Sequence, residues 1–177
     1  RNWVSECGAV GGVRWGDKCY FVHTSDLASH SEARVRCSSR GARLLSITSQ
    51  VENDFVSDLL EAMGGDTLSF YTEGVMNHVN HLSQRRVNSL SLPFSAWWPG
   101  WNGTQSGRRS TARNTEGTSC ISLKKKFPVP QRGGEEPVTA SADYFFWQSS
   151  NCEEKLHYVC ETNKIDVGCI NGRGMTY

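Results

Sequence analysis

The chain has 177 residues, of which 19 are Lys or Arg and 18 are Asp or Glu, giving a formal net charge of +1. A hydrophobic fraction of 37% with a charged fraction of 21% excludes an intrinsically disordered chain and is typical of one globular domain with a short appendage. No stretch approaches about 18 consecutive apolar residues, so the sequence predicts no membrane insertion by this segment. Because the chain begins at Arg1 without a hydrophobic signal region, we expect a processed or excised segment of a larger protein.

Seven cysteines set the expected compartment. The sequence contains no CxxC pair, so a zinc ribbon or a thioredoxin-like redox site is not predicted. Oxidised cysteines are typical of secreted proteins and ectodomains, and an extracellular location is therefore predicted. The tripeptide Asn102-Gly103-Thr104 is a glycosylation acceptor and agrees with this prediction. The odd count leaves at least one cysteine without a partner in this chain.

The positive charge is concentrated in one segment. Residues 81–134 carry nine basic residues and one acid, Glu116, a net charge of +8, whereas residues 1–80 and 135–177 have net charges of −3 and −4. Such a segment presents a local positive potential to an anionic partner although the whole chain is almost neutral.

Two helices are predicted in the first half of the chain. Ser29 and Glu32 form a capping box at the start of the first helix, and Gly41 is its stop signal. Ser49 and Glu52 form a second capping box, and the helix that follows is predicted to end at residues 64–65. Its predicted apolar face has a spacing of i+4 and comprises Val51, Phe55, Leu59 and Met63. Short strands are predicted at residues 19–22 and 44–47.

The second half is rich in Ser, Asn, Gly, Pro and Trp, with short apolar islands that suit strands. These islands are residues 69–75, 94–101, 120–123, 144–147 and 158–160. Long loops are predicted at residues 76–93 and 124–143. Two helices followed by irregular strands predict an α+β fold.

This arrangement resembles the C-type lectin-like domain in its long form, over residues 1–161. The signature A-x3-C-x3-G-x2-L is present as Ala33, Cys37, Gly41 and Leu44. The closing pattern W-x4-C-x5-Y-x-C-E is present as Trp147, Cys152, Tyr158, Val159, Cys160 and Glu161. Residues 70–75 and 101–104 lie where the family has its WIGL strand and W-x-D-G segment.

The resemblance implies two helices with antiparallel strands and long irregular loops, stapled by three disulfides. The implied pairs are Cys7–Cys19, Cys37–Cys160 and Cys120–Cys152. Sugar-binding members hold calcium through an Asn-Asp pair after the late Trp and through a Glu-Pro-Asn or Gln-Pro-Asp triplet in the long loop. Here Trp147 is followed by Gln148-Ser149-Ser150, and Glu135-Glu136-Pro137 falls after Cys120 instead of before it. Since calcium prefers carboxylate oxygens, we expect no calcium site, no other metal site and no cofactor.

The basic segment is the candidate ligand-binding surface. Arg offers a bidentate fork to sulfate or carboxylate, Lys adds point charge, and Trp97, Trp98 and Trp101 either stack on a ligand or belong to the core. The predicted basic patch comprises Arg85, Arg86, Arg108, Arg109, Arg113, Lys124, Lys125 and Lys126, with Arg132 nearby. Its predicted partner is an extracellular protein or an anionic, sulfated glycan, because the oxidising compartment argues against nucleic acid. A solvated lysine loop is the alternative.

The function that this predicts is calcium-independent recognition, as in a receptor ectodomain, an adhesion molecule or a matrix protein. The alternatives are a calcium-dependent carbohydrate-binding lectin and a non-catalytic recognition domain of a multidomain extracellular enzyme. The domain itself is not predicted to be an enzyme, since it has no GxSxG, HExxH, P-loop or GxGxxG motif. A metal pair at His78 and His81 is conceivable, although loop histidines are the default.

The C-terminal tail contains the seventh cysteine. Residues 169–177 follow C-x2-G-x-G-x2-Y and resemble the opening of a kringle domain, with residues 162–168 as a linker. The alternative is a flexible glycine-rich tail, in which Cys169 is unpaired and available for an intermolecular disulfide that makes a covalent dimer.

Overall fold

A computed structural model describes residues 7–77, 86–87, 94–97, 118–129 and 138–163. Its helices include α1 (His30–Ser38) and α2 (Gln50–Ala62), and residues 7–9 are also helical. Its strands are β1 (Val13–Trp15), β2 (Lys18–Ala28), β3 (Arg43–Leu44), β4 (Ser69–Asn77), β5 (Arg86–Val87), β6 (Thr118–Val129), β7 (Val138–Ser150) and β8 (Leu156–Asn163). The predicted α+β fold with two helices in the first half is confirmed.

The strands form one sheet in the order β1-β2-β8-β4-β6-β7, with β3 paired to β8 and β5 paired to β4. The pairs are antiparallel except for the short parallel contact between β4 and β8. The last strand therefore lies in the centre of the sheet, beside β2 from the beginning of the chain. This arrangement brings both ends of the domain together.

Both helices begin at the predicted serines. Ser29 caps α1 in a complete capping box with Glu32, and Gly41 follows in the left-handed region at φ 68°, as expected for a helix stop. Ser49 caps α2 by accepting from the Glu52 backbone N–H. The Glu52 carboxylate, however, accepts from the backbone of Thr48, so the second predicted capping box is only half present.

The predicted apolar face of α2 is wrong at both ends. Val51 is 66% exposed and Met63 is 48% exposed. The buried positions of the helix are instead Glu52, Asn53, Val56, Ser57, Leu59 and Leu60. Two of the polar residues on this face, Glu52 and Ser57, have partners on other elements. Ser57 Oγ, for example, accepts a 3.2 Å hydrogen bond from the backbone N–H of Phe145 on β7.

The predicted long loop at residues 124–143 is also wrong. Most of it belongs to a hairpin in which β6 pairs with β7 from Cys120 opposite Ser150 to Val129 opposite Val138, with an irregularity between Lys124 and Lys126. The predicted strand at 44–47 is shortened to Arg43–Leu44. Leu45 is still hydrogen-bonded on both sides: its backbone N–H donates to the Val159 carbonyl, and its carbonyl accepts from the backbone N–H of Glu73.

The three implied disulfides are present. Cys7–Cys19 fastens the N-terminal segment to β2, Cys37–Cys160 ties α1 to β8, and Cys120–Cys152 joins β6 to the turn before β8. The main core lies between the sheet and α2 and contains Tyr20, Leu45, Ile47, Val56, Leu60, Phe70, Leu123, Phe145, Trp147 and Val159. A second core cluster surrounds the Cys37–Cys160 bridge.

Candidate recognition site

The three lysines of the basic patch lie on strand β6 and have different environments. Lys124 and Lys126 are half-buried, whereas Lys125 between them is only 7% exposed. Lys125 is buried together with Leu123 and Phe127, which flank it at two residues' distance. An extended strand places alternate residues on opposite faces, so a run of three lysines on a strand cannot present three equivalent charges.

Lys125 is neutralised by two carboxylates. Its ammonium lies 2.9 Å from Glu61 Oε2 and 3.4 Å from Asp66 Oδ1, at the end of α2 and in the turn after it. The hydrogen bond to Glu61 is the main reason why the pKa of Lys125 is raised. Lys125 holds β6 to α2 with a buried stem and a paired head, so we expect it to contribute less positive charge to the basic patch than its two neighbours. The alternation of Leu123, Lys125 and Phe127 was the sequence signal for this role.

Lys124 and Lys126 have no acidic partner within the described ranges. Lys124 is opposite Ser69 on β4 and Phe146 on β7, and Lys126 is opposite Ser141 on β7. Two ammonium groups that have no ion-pair partner among the described residues can contact a ligand anion without first breaking a described ion pair.

The positions that follow Trp147 form a closed polar cluster. Ser122 on β6 and Ser150 on β7 share a 2.6 Å hydrogen bond between their hydroxyl oxygens. The Gln148 side-chain amide donates to Ser122 Oγ at 3.3 Å and, more weakly, to Ser150 Oγ at 3.5 Å. No carboxylate takes part. Gln148, which stands where sugar-binding members of the family have the first residue of the Asn-Asp pair, thus donates its amide to two serine hydroxyls.

Aromatic side chains pack around Trp147 beside this cluster. Phe94 and Trp97 each meet the Trp147 ring edge to face, with centroids 6.0 Å and 5.7 Å away. The backbone of Trp97 also forms an isolated bridge with that of Trp147. The backbone N–H of Trp147 donates to the Ala96 carbonyl at 2.7 Å. Trp97 packs on the core in this way, which favours the core alternative for this residue.

Several predicted site residues lie outside the described residues. They are Arg85, Arg108, Arg109, Arg113 and Arg132 of the basic segment, Trp98, Trp101, Asn102, His78, His81 and Cys169. Arg86 is described only in its backbone, which pairs with Asn77 in the β4–β5 ladder. In the described part of the chain, no group of three or more His, Cys, Asp or Glu side chains is arranged to hold a metal ion. No described helix is long and apolar enough to span a membrane.

A buried ionic network was not predicted from the sequence. Lys18 on β2 contacts Glu52 at 2.5 Å and Glu161 at 3.1 Å, and Arg43 contacts Glu161 at 2.9 Å. Glu52 and Glu161 are 1% and 0% exposed. Glu161 belongs to the closing motif of the family resemblance, but the sequence offered no signal for its partners, which lie more than a hundred residues away.

Comparison with known proteins agrees with this architecture. Residues 26–162 match the model of the lectin C-type domain family. Since the match covers more than half of the chain, the chain belongs to this family. The described fold, with two helices, one curled sheet and three disulfides, is that of a C-type lectin domain.

The relatives differ in how much of their length the chain covers. Human C-type lectin domain family 11 member A is 26% identical over 163 residues, which are 87% of this chain and 45% of that protein. Mouse lithostathine-2 is 27% identical over 152 residues, 85% of this chain and 72% of that protein. The crystal structure of human lithostathine superposes with a TM-score of 0.54 at 20% identity, covering 86% of this chain and 88% of that one. The chain therefore spans less than half of the first relative.

Proposed function

We propose that this domain is a calcium-independent extracellular recognition module that binds a sulfated glycan through its basic segment, residues 81–134. The observation that carries the proposal is the contrast on the β6–β7 hairpin. Lys124 and Lys126 are unpaired within the described residues, while the polar groups after Trp147 bond to one another and include no carboxylate. On this hairpin, Lys124 and Lys126 provide positive charge for an anionic ligand, whereas calcium-binding lectins use carboxylates to bind a metal ion.

The absence of calcium chemistry rests on the donor set. Calcium sites in proteins are built from several hard oxygens, with carboxylates foremost. Gln148 has one neutral amide oxygen, and its amide nitrogen is engaged by Ser122 and Ser150. A calcium ion at this place would have to break the Ser122–Ser150 bond and would gain no charge neutralisation.

A sulfated glycan is favoured because of the charge of the whole segment. The segment has a net charge of +8, and six of its nine basic residues are arginines, at positions 85, 86, 108, 109, 113 and 132. Arginine pairs with sulfate in a bidentate geometry, and a repeating polyanion can engage many cations in succession. An acidic protein face is the second candidate, because its carboxylates suit the same arginines.

An extracellular location is part of the proposal. Three buried disulfides are stable in an oxidising environment and rare in the cytosol. A recognition role without catalysis agrees with the membership of the family. The alternatives, a calcium-dependent lectin and the recognition domain of a multidomain enzyme, predict chelator-sensitive binding and a catalytic domain elsewhere, respectively.

Retention on immobilised heparin tests the proposal. We expect the wild-type domain to be retained at physiological salt and to elute as the salt screens the interaction. The double variant Lys124→Gln/Lys126→Gln should elute at lower salt. The matched control Lys155→Gln/Lys164→Gln removes the same charge outside the basic segment and should elute with the wild type. Passage of the wild type through the column would exclude the sulfated glycan and leave the acidic protein as the candidate.

The tail and the parent protein are part of a separate proposal. The start of the predicted linker 162–168 lies within β8, where Thr162 and Asn163 pair with Cys19 and Lys18. We infer that Cys169 either opens a kringle domain or forms an intermolecular disulfide. Electrophoresis with and without reductant separates the two. A dimer band that disappears on reduction supports the intermolecular disulfide, and a monomer in both lanes contradicts it.

A further inference from the structure

A pocket of about 230 Å³ lies on the opposite side of β8 from Lys124 and Lys126. Its walls come from the N-terminal segment, β2, the turn after α1, and β8, and they include Val10, Phe21, Val22, His23, Arg40 and Ala42. In the sheet, β8 and β4 separate β2 from β6, which carries the two lysines. This Arg40 pocket is therefore distinct from the surface that Lys124 and Lys126 present.

The apolar wall of the pocket is held by close packing. A Cβ atom at Gly12 would lie 2.9 Å from the ring of Phe21 and would also collide with the Cys7–Cys19 bridge. Only glycine therefore lets the N-terminal segment approach Phe21 this closely. The disulfide fixes that segment to β2, so the pocket is largely pre-formed. Cavities of about 150 Å³ already hold a benzene ring, so this one accepts a leucine- or phenylalanine-sized group.

The polar part of the pocket is an arginine without a carboxylate partner among the described residues. The exposed Arg40 donates from Nη1 to His23 Nε2 at 3.2 Å, and its guanidinium has no other side-chain partner among the residues that the structure describes. Asp26, whose charge acts on His23, is already engaged by Arg36 and by the Tyr158 hydroxyl, each at 2.6 Å. Arg40 therefore contributes uncompensated positive charge beside an apolar cavity.

We propose that the Arg40 pocket binds an apolar monocarboxylate, whose side chain or hydrocarbon group fills the cavity while its carboxylate pairs with Arg40. Charge complementarity selects an anion, and the planar guanidinium selects a carboxylate through paired hydrogen bonds. The carboxyl-terminal residue of a peptide and a free small acid share this chemistry.

Titration of His23 provides an independent signature. Burial, and then the charge of Arg40, lower the pKa of His23 in the free protein. The charged groups that face its ring are Arg40, Arg36 and Asp26, and the Tyr158 ring stacks on it at 4.5 Å. A bound carboxylate adds negative charge and stabilises the imidazolium, so the pKa of His23 should rise on binding.

Nuclear magnetic resonance titration of the domain tests the proposal. The probe is N-acetyl-L-phenylalanine, with N-acetyl-L-phenylalaninamide as the uncharged counterpart. We expect saturable shifts at Val22, His23 and Ala42 with a dissociation constant on the order of 1 mM for the acid, and at least about tenfold weaker binding of the amide. A peptide ending in phenylalanine that binds more tightly than the acid identifies a chain terminus as the ligand, and equal affinity identifies a free acid.

Arginine variants complete the test. Arg40→Gln should weaken binding of the acid about tenfold, Arg40→Lys should retain part of the affinity, and both should abolish or reduce the rise in the pKa of His23. The control Arg14→Gln changes an exposed arginine of β1 that donates to Gly16 and should bind like the wild type. Equal shifts with acid and amide, no saturable shifts, or unchanged binding by Arg40→Gln would each overturn the proposal.

Discussion

Lys18 and Glu52 form a 2.5 Å ion pair that joins β2 to the first turn of α2, inside a fold whose other core contacts are mainly apolar. Glu52 also accepts from the Tyr20 hydroxyl at 2.8 Å and from the Thr48 backbone N–H at 2.8 Å. Burial alone would raise the pKa of Glu52, but the hydrogen bonds, first of all that from Lys18, lower it below its usual value. One lysine thus compensates two buried carboxylates, those of Glu52 and Glu161.

Removal of this lysine should strongly destabilise the fold. In Lys18→Met, Glu52 and Glu161 remain buried, and Glu52 loses its only described cationic partner. We expect the free energy of unfolding to fall by about 3–5 kcal/mol at neutral pH, measured by urea denaturation. The loss should shrink as the pH falls below about 4.5, because a protonated Glu52 no longer needs the lysine.

Arg34→Met is the matched control, since it breaks the exposed pair of Arg34 with Glu73. Exposed pairs contribute little, so this variant should lie within about 0.5 kcal/mol of the wild type. Equal losses of unfolding free energy in Lys18→Met and Arg34→Met would show that the buried Lys18 ion pairs contribute no more to stability than an exposed pair does.

A buried histidine predicts a loss of stability in mild acid. His30 Nε2–H donates to the Thr72 carbonyl at 2.9 Å, and burial lowers the pKa of His30 in the folded state. The unfolded chain therefore binds more protons between the two pKa values, so stability is complete above the ordinary value of 6.5 and declines as the pH falls through it. His23 shifts in the same direction.

Urea unfolding at about pH 7.5 and about pH 5.5 measures this loss, in a range where the carboxylates stay ionised. His30→Gln keeps a donor for Thr72 and removes the titration, so its stability should depend less on pH than that of the wild type. His23→Gln isolates the second contribution. An unchanged pH dependence in His30→Gln would show that His30 does not titrate differently on folding.

The disulfides should differ in their contributions to stability. Cys37–Cys160 closes a separation of 123 residues, and Cys7–Cys19 closes one of 12. In the chain-entropy model these loops are worth about 5 and about 3 kcal/mol, respectively. Since all four cysteines are buried, the paired alanine variants lose similar packing, and denaturation should find Cys37→Ala/Cys160→Ala the less stable. The reverse order would contradict the loop-closure account.

Adjacent lysines on β6 should separate stability from binding. Lys125→Ala removes a buried stem and the pairs with Glu61 and Asp66, so it should lower the melting temperature and leave heparin elution almost unchanged. Lys124→Gln/Lys126→Gln should leave the melting temperature almost unchanged and should lower the salt concentration at which the domain elutes from heparin. If Lys125→Ala elutes at the same reduced salt concentration as the double variant, the charge of Lys125 contributes to ligand binding, and this prediction is wrong.

The features that could be predicted from the sequence are those encoded within a few residues or by a family pattern. The capping serines Ser29 and Ser49 act on N–H groups three residues away. The three cysteine pairs were implied by the family resemblance. The buried face of α2 could not be predicted, because Glu52 is buried only through Lys18 and Tyr20 on β2. The environment of Lys125 likewise depends on Glu61 and Asp66, about sixty residues earlier in the chain.

The most direct test of the proposed function is retention of the wild-type domain on immobilised heparin at physiological salt, measured once with calcium and once with a calcium chelator. Because the cluster of Ser122, Gln148 and Ser150 provides no carboxylate, we predict the same elution salt in both buffers. Loss of retention on chelation would contradict calcium independence, and passage through the column in both buffers would contradict the binding of a sulfated glycan.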